Sequence, residues 1–217
     1  RDPLWSRGLG DVYKRQGDVE PMYNSVDAPL LFINAVYEYI QTSKDNAFLP
    51  EVWDVLKRIM TAYEKGTDYH IGMDSDSLIQ AGADLEQLTW MDVRVGNYLP
   101  TPRHGKPVEV NAYWYNDLEI MKQFALLQQD NELAQHYAEL ADKVKEAFLL
   151  KFWNEEENCL KDVLSGNSEE NQVRCNQVWV LSMPYTMLPK EKELCVLHKI
   201  KEELYTTAGL RTLSPRD

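Results

Sequence analysis

The sequence predicts an all-α fold of the α/α-toroid type, represented by about three helical hairpins with long loops. Three observations predict it. Apolar residues recur with helical period in six stretches, the stretches fall in closely spaced pairs, and long connections rich in polar residues, glycine or proline follow the pairs. Such pairs also build α-solenoids, but no motif repeats from pair to pair as a tetratricopeptide or HEAT array requires. A toroid gathers its loops around a pocket.

The first helix is expected over residues 28 to about 42, capped by Ser25 or Asp27, with Pro29 tolerated in its first turn. The second starts near Leu49 and Pro50 and stops before Gly66, with Val52, Val55, Leu56, Ile59, Ala62 and Tyr63 on one stripe. Residues 67–107 carry Gly72, Gly82, Gly96, Pro100, Pro102, Gly105 and Pro107, the marks of a long irregular connection, with short strands expected at 69–71 and 78–79. A connection of that length in a compact domain usually serves function. Helical period resumes over 108–127 and again, after Asp130, over 133–148, where Ala134, Tyr137, Ala138, Ala141, Val144 and Phe148 share a face. Residues 154–171 are acidic and polar, with a short hairpin expected around 159–163. A third pair is expected at 176–187 and 189–205, the latter striped by Leu194, Leu197, Ile200 and Leu204.

Composition excludes several classes. The chain has 217 residues, 44% apolar, with 12 Tyr, 6 Trp and 5 Phe, enough large side chains to build a core. Its net charge of −12 argues against nucleic acid, whose phosphates need counter-charge. No apolar run approaches the roughly 18 residues of a membrane span, so a soluble protein is expected. Cys159, Cys175 and Cys195 are odd in number and lack zinc spacing, which suits a reducing compartment. His70, His104, His136 and His198 are scattered, so neither a metal nor a cofactor is expected, although His104 lies where it could touch a substrate. Residues 1–16 hold four basic and two acidic residues without periodicity, and 11–16 resemble a translated sequencing adaptor. They are set aside as an artefactual or disordered leader, leaving 17–217 as the domain.

The stretch from Gln87 to Asp92, continued from Thr101 to Asn116, packs Trp, Tyr, Asp, Glu, Asn and Arg closely. Sugar sites are built this way, with aromatic faces against a pyranose and carboxylates and amides on its hydroxyls. Carboxylates also carry the acid–base chemistry of a glycosidic bond, one of them held protonated by its surroundings. Asp92, flanked by Trp90, Met91 and Val93, has such a neighbourhood. On composition alone, Asp92 serves as well as a turn cap and Trp90 as well as core.

Three separate motifs resemble the amylo-α-1,6-glucosidase domain of glycogen debranching enzymes. The first is YNSVDA at 23–28, the second QLTWMD at 87–92 with RHGKPVEVNAYWYN at 103–116, and the third RCNQ at 174–177 with GLRTLSP at 209–215. The resemblance implies a six-hairpin toroid of which this chain holds the N-terminal half. It also implies hydrolysis, with inversion, of the α-1,6-linked glucose at branch stubs of glycogen or limit dextrin, in the cytoplasm. Asp92 falls on the family's general acid, which protonates the glycosidic oxygen. Asn24, Asp27, Trp90, Arg103, Glu109, Asn111, Trp114, Tyr115, Asn176 and Gln177 would line the glucose subsite. Arg103 could instead hold a carboxylate ionised, and Glu109 is the runner-up for acid or base. An inverting enzyme needs a second carboxylate about 6.5–9.5 Å from the acid. In this family it lies beyond Asp217, so the chain alone is expected to be inactive. Neighbouring readings are a trehalase-like or glucoamylase-like enzyme, a non-catalytic carbohydrate-binding domain, or a helical scaffold. One departure is Ser77, where the family has glycine.

Overall fold

A computed structural model describes residues 24–84, 86–91, 93–165 and 171–217. The leader, the start of the first motif and Asp92 lie outside the described residues. Among those described, the fold is all-α and of toroid type, with six α-helices and eight two-residue strands. Helix α1 (Ala28–Ser43) and α2 (Phe48–Lys65) form the first hairpin, close to the expected bounds. Ser25 does the capping: its Oγ accepts the Ala28 amide at 3.3 Å and donates to Asp27 at 2.6 Å.

The second hairpin pairs α3 (Val108–Leu127) with α4 (Asn131–Lys151), the latter capped by Asp130, which accepts the Leu133 amide at 3.0 Å. Helix α3 is central, in contact with α1, α4 and α5 (Val178–Ser182). Its apolar residues are spread around the whole helix, and fifteen of its twenty residues are buried, as a helix apolar on every side must be.

The stripe on α2 differs from expectation. Leu49, Trp53, Leu56, Met60 and Tyr63 are buried, while Val55, Ile59 and Ala62 line an open groove of about 370 Å³ with Pro29 and Ile71. Two overlapping apolar stripes occur on this helix, and the packing against α1 selects one of them. The third pair is also shorter than expected. A 3₁₀ turn (Cys175–Gln177) leads into α5, which stops at Ser182 because Pro184 forces Met183 into extended backbone. Helix α6 (Lys190–Lys199) runs into a π-helical turn (Ile200–Leu204). Val196, Ile200 and Leu204 face inward, whereas Leu194 and Leu197 are about half exposed, against the predicted stripe.

The strands lie close to the expected residues, but not all of them pair as expected. β1 (Gly72–Met73) pairs with β2 (Ile79–Gln80), and β4 (Trp153–Asn154) pairs with β5 (Cys159–Leu160). β6 (Val163–Leu164), expected within a local hairpin, instead crosses to β3 (Lys106–Pro107) and closes the long connection over the start of α3. Gly105 permits this approach. It sits at φ +106°, and a Cβ there would stand 2.3 Å from the Leu164 carbonyl oxygen. β7 (Tyr205–Thr206) and β8 (Gly209–Leu210) form the last hairpin, after which Ser214 returns to residue 173 through a 2.9 Å backbone bond.

Candidate active site

The first and third motifs, far apart in the chain, converge on residues 87–91 of the second. Asn24 donates to the Gln87 carbonyl at 2.6 Å, and the Val26 amide to Leu88 at 3.0 Å. On the other side, Trp90 Nε1 donates to Asn176 Oδ1 at 3.1 Å, and Asn176 and Arg174 reach the Met91 sulfur at 3.6 and 3.8 Å. The two halves of the third motif meet beside it, since Arg174 bridges to Leu213. Trp90 itself is 53% exposed, Met91 is buried, and Thr101 holds the Met91 carbonyl at 3.0 Å.

Behind this segment lies a buried ionic cluster. Arg103 engages Glu109 with both terminal nitrogens, Nη2 lying 2.6 Å from Oε2, and its Nε donates to Asp162 Oδ2 at 2.9 Å. Asp162 Oδ1 accepts from Asn176 Nδ2 at 2.8 Å. Burial opposes the Arg103 charge, but Glu109 and Asp162 outweigh it and hold the guanidinium above its ordinary value. Burial pushes the Glu109 carboxyl up, with Arg103 opposing and Asp162 adding. A cavity of about 50 Å³ beside Arg103, Asp162 and Arg174 has room for a water-sized group and none for a hexose.

Not every anticipated residue joins this cluster. Asn111 is enclosed, accepting the Ile79 amide at 2.8 Å and donating to the Ile79 and Pro107 carbonyls, while Trp114 Nε1 donates to the Ser77 carbonyl at 3.2 Å. Both tie the long connection to α3. Gln177 is likewise buried, its side chain spanning the Leu160 amide and the Arg174 carbonyl. Tyr115 lies on the side of α3 near Glu119 and Asp142, and burial with those charges pushes its hydroxyl up to about 12. Asp27 stands at the head of α1, bonded to Ser25. His104 packs against Gly82 and bonds the Glu86 carbonyl at 2.9 Å.

Two residues of this neighbourhood escaped the sequence reading. Asp162 is 3% exposed and joins the second motif to the third. Its signal was an acidic residue between Leu160 and Val163, apolar neighbours within an otherwise acidic, solvated stretch. Tyr113 is buried edge-on against Trp179 at 5.6 Å, and burial with Glu109 and Asp27 nearby raises its hydroxyl. Among the described residues no three His, Cys, Asp or Glu side chains gather as a metal site. No helix described is long and apolar enough to cross a membrane.

The site is thus a helical hairpin array whose loops bring an exposed tryptophan beside buried carboxylates. Solved glycosidases share the fold. A rhamnosidase from Klebsiella oxytoca with rhamnose bound superposes with a TM-score of 0.59 at 16% identity, over 85% of this chain and 32% of that one. The GH78-family rhamnosidase of Bacillus sp. GL1 gives 0.63 at 19%, over 87% and 18%. The mannosyl-oligosaccharide glucosidase of Saccharomyces cerevisiae is 28% identical over 106 residues, which is 45% of this chain and 13% of the yeast protein. Residues 7–217 match the family described as amylo-alpha-1,6-glucosidase, and the chain belongs to that family. It spans less than a third of the length of each of these three relatives.

Proposed function

We propose that the protein containing this chain hydrolyses the α-1,6-linked glucose at branch stubs of glycogen or limit dextrin, with inversion, and that Asp92 is its general acid. The observation that carries this reading is the anchoring of the segment 87–91, immediately before Asp92, by the first and third family motifs and by Arg103 of the second, whose Nη1 lies 3.5 Å from the Thr89 hydroxyl. In that reading Trp90 offers a stacking face to the glucose. Asn24, Asp27 and Asn176 lie around the subsite, and Asn111, Trp114 and Gln177 hold its wall in place. Arg103 and Glu109 act as a buried support, because a carboxylate in a forked pair with a guanidinium is poorly disposed to exchange protons with a substrate. Tyr115 belongs to the packing against α4.

The base is supplied from outside residues 1–217, and the cytoplasm, where glycogen is stored, is the site of action. Glu109 and Asp162 are both bonded to Arg103, which favours this assignment. The test is glucose release from limit dextrin by the protein that includes this chain and its continuation. Asp92→Asn should lower the rate by at least a hundredfold, the scale of a lost general acid, while residues 1–217 alone release no glucose. Equal release by wild type and Asp92→Asn would overturn the assignment. The likeness to mannosyl-oligosaccharide glucosidase favours one second reading, a glucosidase with another linkage preference, and a panel of α-linked disaccharides separates the two.

A further inference from the structure

We infer that Asp162 is a positioning residue that sets the orientation of the Trp90 indole through the Asn176 side-chain amide. The inference follows from donor and acceptor counting. An indole N–H only donates, and a guanidinium only donates. Between them stand Asn176, whose Oδ1 takes the Trp90 N–H at 3.1 Å, and Asp162, whose Oδ2 takes Arg103 Nε at 2.9 Å. The link joining the two is Asn176 Nδ2 to Asp162 Oδ1, at 2.8 Å. The carboxylate accepts at both oxygens, so the amide must turn its NH₂ toward Asp162 and its oxygen toward Trp90. One acidic residue thereby fixes the polarity of the whole chain from Arg103 to an indole that is half exposed.

Asp162→Asn reverses that polarity while changing almost no volume. Arg103 still demands an acceptor, so the new amide presents its oxygen there and its NH₂ to Asn176. Asn176 must then turn its own oxygen toward residue 162, which aims its NH₂ at the Trp90 N–H, donor against donor. The Trp90 bond is lost although every side chain keeps its shape. Asp162→Asn combined with Asn176→Asp restores it: the amide at 162 donates to the carboxylate at 176, whose other oxygen accepts the indole N–H. A residue that only filled space would show neither the loss nor the rescue.

The consequence for sugar stacking rests on the function proposed above, whereas the indole orientation does not. The experiment is ¹H–¹⁵N spectroscopy of the six tryptophan indoles in the full 217-residue chain, with Trp90 assigned by Trp90→Phe. In Asp162→Asn the Trp90 resonance should move upfield and exchange faster with solvent, the other indoles staying in place. In Asp162→Asn/Asn176→Asp it should return. A Trp90 resonance unmoved in the single variant, or still displaced in a folded double variant, would overturn the inference. Should the single variant fail to fold, the double variant alone decides, by the position of its Trp90 resonance. Addition of isomaltose to the wild type addresses the sugar reading separately, since a Trp90 resonance blind to the sugar counts against that reading and leaves the Asp162 result standing.

Discussion

Arg103 and Glu109 face each other as a forked ion pair, both side chains about 1% exposed, at the point where the long connection enters α3. They stand six positions apart in sequence, so the pair closes the turn that carries Gly105. Removing the cation leaves Glu109 buried without its partner and Asp162 with only Arg174, at 3.9 Å, and the Asn176 amide. Arg103→Ala should therefore cost about 3–5 kcal/mol of stability. Arg103→Lys should cost nearly as much, because an ammonium cannot reproduce the two parallel bonds together with the third to Asp162. Urea denaturation followed by circular dichroism measures both.

Asp117, on the buried side of α3, is fully enclosed, and its Oδ2 has no hydrogen-bond partner among the described residues. Burial holds its carboxyl well above the ordinary value, with the Asn116 amide opposing. A group raised on folding contributes stability that is complete below its unfolded value, near pH 3.9, and is lost as pH rises through the folded value. Asp117→Asn removes that loss. Its melting temperature should match the wild type near pH 4 and exceed it near pH 8, and parallel melting curves at both pH values would refute the assignment.

Ser77 stands in the left-handed region at φ +69°, in the turn between β1 and β2. The turn is held by Asp74, Asp76 and the Trp114 indole. A left-handed L-residue carries a penalty of about 1–2 kcal/mol, offset in part by the greater freedom of glycine in the unfolded chain. Ser77→Gly should stabilise the chain by roughly 0.5–1 kcal/mol, read from the urea midpoint.

Gly105→Ala should do the opposite. The added methyl would meet the Leu164 carbonyl at 2.3 Å, at a backbone angle that also disfavours a side chain. The pairing of β3 with β6 must open, so a loss of about 2–3 kcal/mol is expected. Faster proteolytic cleavage of the connection 81–107 would accompany it.

Much of this was written in the local chain. The helical period of residues 28–65 and 108–151 specified both hairpins to within a few residues, because 3.6-residue spacing and caps such as Asp130 act over one or two turns. Pro184 was equally visible, and it ends α5 after five residues, inside the stretch 176–187 expected to be helical. The motifs named the segment 87–92 as the centre of the site.

Tertiary structure decided what each of those residues touches. Asn111 and Tyr115 occupy one helix four residues apart in a single motif. One is turned into the long connection and the other lies near α4, a division that depends on which elements pack on each side of α3. Asp162 lies 59 residues from Arg103 and 14 from Asn176, so its apolar neighbours Leu160 and Val163 could mark it as buried but not name its partners. The sequence alone determined the first two helical hairpins and the family motifs, since these rest on spacing along the chain. Only the folded chain decided that the charge of Arg103 is met by Glu109 and Asp162, because a buried charge takes its partners from whatever the fold brings within hydrogen-bonding distance.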